Sequence, residues 1–210
     1  DLETLFGEGY KLTPFKDLAE GLANKGIASI RYDKRSFAHG LKMVRDKSTI
    51  ITVKEETIDD AILATELLKK DSRIDSHNIF IIGHSMGGML APRIDAEGGN
   101  YKGLILMAGS PRRLEEIMLD QNEAVMRSGK GLLQWFVKTQ VAKISAMFEG
   151  MYELSDEEAK KKKVGNGTTL YYFKEMGEHQ SSNYLVKLEK PILIMQGEKD
   201  FQATLENDFA

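Results

Sequence analysis

Cysteine is absent from all 210 residues, which excludes disulfides, thiol nucleophiles and thiolate metal sites. The compartment is therefore undetermined, with the cytoplasm as the default reading. No apolar run reaches the 18 residues that a membrane-crossing helix needs. Charge of one sign is also scarce: the net charge is −3 and there is no dense basic face, so the chain is not expected to partner nucleic acid. The four consecutive lysines Lys160 to Lys163 follow Glu153, Asp156, Glu157 and Glu158, and opposite charges at this spacing describe a solvated helical face. The chain opens at Asp1 rather than methionine, so a leader already removed is compatible with it. Asn166-Gly167-Thr168 fits the glycosylation acceptor pattern and serves here as a loop marker. What is present, 41% hydrophobic, 8% aromatic and 29% charged residues, suits one globular domain with one sizeable core.

The most specific stretch is Gly83-His84-Ser85-Met86-Gly87. It follows the apolar run Asn78 to Ile82 and opens a helix readable from Met86 through Ala96, closed by Gly98-Gly99. A serine between glycines at a strand-to-helix turn is the arrangement of a nucleophile elbow, in which a strained residue is exposed above the sheet. Ser85 is the expected nucleophile. The N–H of Met86, at the start of the following helix, is the expected donor to an oxyanion. Pro92 sits beyond the first turn and should kink or shorten that helix.

Apolar strands and amphipathic helices alternate along much of the chain. Thr13-Pro14 reads as a helix start, with Phe15, Leu18, Ala19 and Leu22 on one face and Gly26 as the stop. Ile27 to Tyr32 reads as a strand, Glu56 to Lys70 as a helix, and Lys102 to Ala108 and Pro191 to Gln196 as further strands. This alternation predicts an α/β fold with a mostly parallel sheet flanked by helices. Between Pro111 and about Lys190 the alternation gives way to helical patterning rich in Met118, Met126, Trp135, Phe136, Met147, Phe148 and Met151. The organisation expected is a single domain with an insertion: residues 1–110 and 191–210 form the core, and residues 111–190 form a helical cap whose apolar residues mostly pack one another.

A serine hydroxyl needs a base, and the base needs a carboxylate to orient it. In elbow-type hydrolases the chain order is serine, acid, histidine. Asp200, in Gly197-Glu198-Lys199-Asp200 after the last strand, is the expected acid, with Glu198 and Asp33 as rivals and a plain turn-capping aspartate as the alternative reading. No histidine follows Asp200. His77 precedes the elbow strand, and the His84 side chain should point away from the serine; His39 and His179, both in loops, are poor candidates, because a base must come within hydrogen-bond reach. The catalytic histidine is thus unassigned in this chain, and no metal or organic cofactor is called for.

The combination Tyr32-Asp33-Lys34-Arg35, Gly83-His84-Ser85-Met86-Gly87-Gly88-Met89 and Gln196-Gly197-Glu198-Lys199-Asp200 resembles the α/β-hydrolases, and within them the bacterial serine esterases of the dienelactone hydrolase and serine-aminopeptidase-like group. The resemblance runs from about Phe15 to Phe209. It implies a central sheet of about eight strands, of which this chain accounts for some, together with a second oxyanion loop and a terminal histidine that it does not show. The expectation is therefore an incomplete sheet, truncated at both ends. The implied activity is hydrolysis of small-molecule carboxylic esters through an acyl-enzyme; the alternatives are a peptidase or thioesterase on the same residues, or a non-catalytic protein without its base. Unpaired sheet edges would favour a homo-oligomer.

Overall fold

The computed structural model describes residues 13–45, 50–128, 132–165, 168–200 and 202–209. Pro14 to Ala23 form α1, and its end follows from local bonding: the N–H groups of Lys25 and Ile27 both donate to Leu22 O, and Gly26 takes a φ of 76° that a side chain would oppose. The expected amphipathic face is there, but no residue of α1 is fully buried, and Phe15 keeps 40% of its surface. Ile27 to Tyr32 corrects the sequence reading. The segment joins no strand ladder among the described residues, and Ile27, Ile30 and Tyr32 are exposed. A β-branched run becomes a strand only where a neighbour takes its backbone hydrogen bonds, and here it runs beside the helix that precedes the elbow strand.

Arg35 to Arg45 form α2. A π-helical turn over Lys54 to Ile58 leads into α3, Asp59–Lys70, so the single expected helix is two joined pieces. Then come β1 (Phe80–His84), α4 (Met86–Ile94), a π-helical turn over Asp95 to Gly99, and β2 (Gly103–Met107). Pro92 lies within α4, which ends two residues later in that wide turn, short of the expected Ala96. The region 111–190 holds α5 (Leu114–Ser128), α6 (Leu132–Phe148), α7 (Asp156–Lys161), a two-strand antiparallel ribbon of β3 (Lys163–Gly165) and β4 (Thr168–Thr169), α8 (Leu170–Glu178) and α9 (Ser181–Leu185). The ribbon is an addition to the all-helical expectation, and Asn166 and Gly167 of the acceptor pattern fall outside the described residues. β5, Ile192–Met195, is the last strand.

Among the described residues the main sheet is three parallel strands in the order β1-β2-β5, with Ile82 opposite Ile105 and Ile105 opposite Leu193. This is an α/β fold with a small, incomplete sheet, well below the eight strands that the resemblance implies. α4 packs across β1 and β2, where Ala91, Leu104 and Leu106 are all but inaccessible. Burying each such leucine contributes about 2 kcal/mol. A larger cluster around Val53, Ile58, Met89, Leu90, Ile94 and Tyr101 joins α4 to α3 and takes in Met176 of α8.

The region 111–190 has its own apolar centre. Phe148, Met151, Leu170 and Phe173 are buried together, with Met118 against them, and the Phe148 and Phe173 rings meet edge to face at 5.0 Å. The side chains of Met126, Trp135 and Phe136 are outside what the structure describes. α7 begins with a capping box: the Glu158 N–H donates to Ser155 Oγ and the Ser155 N–H to Glu158 Oε2. The lysine run behaves as a solvated face, with Lys160 paired to Glu157 at 2.7 Å.

Candidate active site

Ser85 stands between β1 and α4 with φ 54° and ψ −119°, a conformation that only the surrounding bonds can hold. Those bonds are explicit: the Ser85 N–H donates to Met107 O at 2.8 Å, and the Met89 N–H donates to Ser85 O at 3.1 Å. The Ser85 side chain is exposed. Met86 follows as the first residue of α4, so its N–H has no acceptor within the helix and lies at the positive end of the helix dipole. Strand, sharp turn, exposed serine and helix N-terminus thus coincide.

The glycines around the turn are needed unequally. A Cβ on Gly83 would stand 2.2 Å from Gly87 O, which no side chain tolerates, whereas a Cβ on Gly87 would meet nothing within 4 Å. The demand on Gly87 read from the sequence is therefore not steric. Gly88 is the crowded one instead: its Cβ would fall 3.0 Å from the Cα of Gly109, at the end of β2. That contact lets α4 press onto the strand edge, and the doubled glycine in Gly87-Gly88 is the sequence signal for it. Beside it, Ala108 has φ 49°, an uncommon value for alanine, while its N–H donates to Met195 O at 2.8 Å. The register sets His84 opposite Met107, so two strained residues, Ser85 and Ala108, sit side by side at the carboxyl edge of the sheet.

Asp200 follows β5 at that same edge and is half-buried. Its Oδ1 accepts the N–H groups of Gln202 at 2.9 Å and Ala203 at 3.3 Å, and Oδ2 accepts Gln196 Nε2 at 3.4 Å. The carboxylate thus shapes its own turn and touches no histidine. Glu198 and Asp33 are exposed. Among the described residues no histidine hydrogen-bonds Ser85. His84 packs its ring against Phe15, with centroids 5.8 Å apart; His77 is almost wholly exposed; His39 is exposed on α2. His179 closes α8 and is engaged by the Tyr184 hydroxyl at 2.6 Å.

Two polar constellations went unread in the sequence. The Asp208 side chain is fully buried and collects Ser110 Oγ at 2.5 Å, Arg112 Nε at 2.9 Å and the Thr204 N–H at 2.7 Å. Burial works to raise its pKa, but the Arg112, Ser110 and Thr204 hydrogen bonds prevail and hold it below the usual carboxylate range. It ties the loop after β2 to the last described turn. The second is Arg93 of α4, buried with Glu97 at 2.6 Å and Glu175 of α8 at 2.5 Å. Among the described residues no cluster of His, Asp and Glu is suited to hold a metal.

Comparisons with known proteins give the family. The sequence pattern of the family described as serine aminopeptidase, S33, matches residues 7–205. Esterase EstD of Thermotoga maritima is 31% identical over 190 residues, which is 90% of this chain and 42% of that protein. The chain thus spans less than half the length of this curated relative. No helix among the described residues is long and apolar enough to cross a membrane.

Proposed function

From membership of the serine aminopeptidase S33 family of α/β-hydrolases, we propose that the chain is that of a carboxylic-ester hydrolase acting on small-molecule esters, with Ser85 as its nucleophile. The observation that bears most weight is Ser85 itself: an exposed hydroxyl on a strained turn, at the N-terminus of a helix, on the carboxyl edge of a parallel sheet. In the proposed reaction Ser85 Oγ bonds to the ester carbonyl carbon and gives its proton to a general base. The carbonyl oxygen becomes an oxyanion against the Met86 N–H. The C–O bond to the alcohol then breaks, the leaving oxygen takes that proton, and water repeats the cycle to free the acid and Ser85. Asp200 orients the base. Residues 111–190 serve as a cap over this edge, where ligands of such sheets bind.

The description of the matching family as serine aminopeptidases favours a second substrate class, amides of peptide amino termini, on the same Ser85. The positions of the four histidines favour a third reading, a protein that keeps the elbow without turnover, since none of them reaches Ser85.

The test is labelling of the 210-residue chain with a fluorophosphonate, beside Ser85→Ala, with the adduct mapped by mass spectrometry. Rapid labelling confined to Ser85 supports the nucleophile. A folded protein that does not label favours the third reading, and one that labels equally in both forms overturns Ser85 as the nucleophile.

A further inference from the structure

Three segments far apart in sequence converge behind the elbow. Tyr172 of α8 donates its hydroxyl to Glu56 Oε2 at 2.7 Å, and Ser36 Oγ of α2 donates to the other carboxylate oxygen at 2.5 Å. The same Tyr172 oxygen lies 3.9 Å from Sδ of Met86, the residue after the proposed nucleophile. Tyr172 belongs to both apolar clusters, the one containing α4 and the one at the centre of residues 111–190, and its ring meets Phe173 edge to face at 5.5 Å. Burial, then the nearby Glu56 charge, keeps the phenol protonated far above neutral pH, so it stays a donor to Glu56 throughout the working range.

We propose that Tyr172, held by Glu56 and Ser36, is a positioning residue that fixes the Met86 side chain and through it aims the Met86 backbone N–H at the reacting oxygen. The physical need is clear from residue type. Methionine has three rotatable side-chain bonds and by itself specifies little. Met86 is also the first residue of α4, so its N–H has no helical partner, and the Met89 N–H bond to Ser85 O at 3.1 Å is what holds its peptide plane from the helix side. A stiff aromatic locked by a carboxylate on one side and a second ring on the other removes that freedom. An oxyanion donor acts only when it is aimed before the charge develops. The site is thus braced at Met86 by α8, an element of the region 111–190.

This inference rests on reading Ser85 as the nucleophile, and the experiment separates the two. Tyr172→Phe and Glu56→Gln are compared with the unchanged chain in three ways: the rate of Ser85 phosphonylation against fluorophosphonate concentration, the thermal midpoint, and the NMR signals of the Met86 methyl and amide. The expected result for Tyr172→Phe is a saturating rate lower by about tenfold. The half-saturating concentration stays within about twofold, the midpoint changes little, and both Met86 signals shift; Glu56→Gln gives the same pattern more weakly. An unchanged rate overturns the inference, as does a loss of rate that follows loss of folded protein. If Tyr172→Phe does not fold, Glu56→Gln carries the test alone. If the unchanged chain does not label at all, the nucleophile reading fails and the Met86 signals decide: shifted signals support positioning, and unshifted signals overturn it.

Discussion

At the scale of single residues, the elbow shows how a backbone shape selects side chains. Gly83 is required because the first turn of α4 folds back over it, leaving Gly87 O where its Cβ would stand. Gly83→Ala should therefore cost at least about 3 kcal/mol in urea unfolding. Gly87→Ala, facing open space within α4, should be neutral or stabilising by up to about 1 kcal/mol. Equal effects of the two would contradict the geometry. Ser85 belongs to the same logic, since its φ of 54° persists only because Met107 O and the Met89 N–H hold it from both sides. The strand, turn and helix around Ser85 were legible in the sequence because all three lie close together in the chain. Asp208 was not, because Ser110 and Arg112 reach it across nearly a hundred residues. Tyr172 and Glu56 stayed hidden for the same reason.

At the scale of elements, α4 is the piece against which the others are fixed. Its lower face lies on β1 and β2, and its far end is pinned to α8 by the buried pair of Arg93 and Glu175. Two atoms of that pair, Arg93 Nη1 and Glu175 Oε2, are buried without hydrogen bonds, so the pair is held closely but is incompletely satisfied. Removing one member strands the other charge, and Arg93→Ala should destabilise by about 3–5 kcal/mol. Replacing both by methionine should recover most of that loss in chemical denaturation, because a well-packed apolar pair avoids the desolvation cost. A double variant no more stable than Arg93→Ala would show that the pair contributes more than its burial costs. One helix and two strands of the main sheet were readable from periodicity, since α3, β2 and β5 each carry a simple apolar pattern. Ile27 to Tyr32 misled because its β-branched pattern speaks of a strand while strand formation depends on a neighbour that no local pattern encodes.

At the scale of the whole molecule, the sheet exposes what a larger sheet would cover. Both outer strands lack a partner on one side among the described residues. Phe80 on β1 is 51% exposed, and Leu193, Ile194 and Met195 on β5 are each about half exposed. Ile30 and Leu67 also border an open cavity of about 490 Å³ at the C-terminal end of α3, whose lining includes neither Ser85 nor Asp200. Open parallel edges flanked by apolar side chains invite pairing with another chain. The 210-residue chain should therefore associate as its concentration rises, as measured by sedimentation velocity, and Ile194→Lys should weaken that association without altering the fold. A sharp monomer at all concentrations would exclude it.

The Ser85 N–H bond to Met107 O and the Ala108 N–H bond to Met195 O also bear on the order of assembly. The first joins residues 22 apart and needs β1 beside β2; the second joins residues 87 apart and needs β2 beside β5. Closing such loops is slow relative to forming a helix turn. During synthesis and early collapse Ser85 is an ordinary, unstrained serine. Its strained backbone shape is fixed only when β2, the middle strand, is in place beside β1.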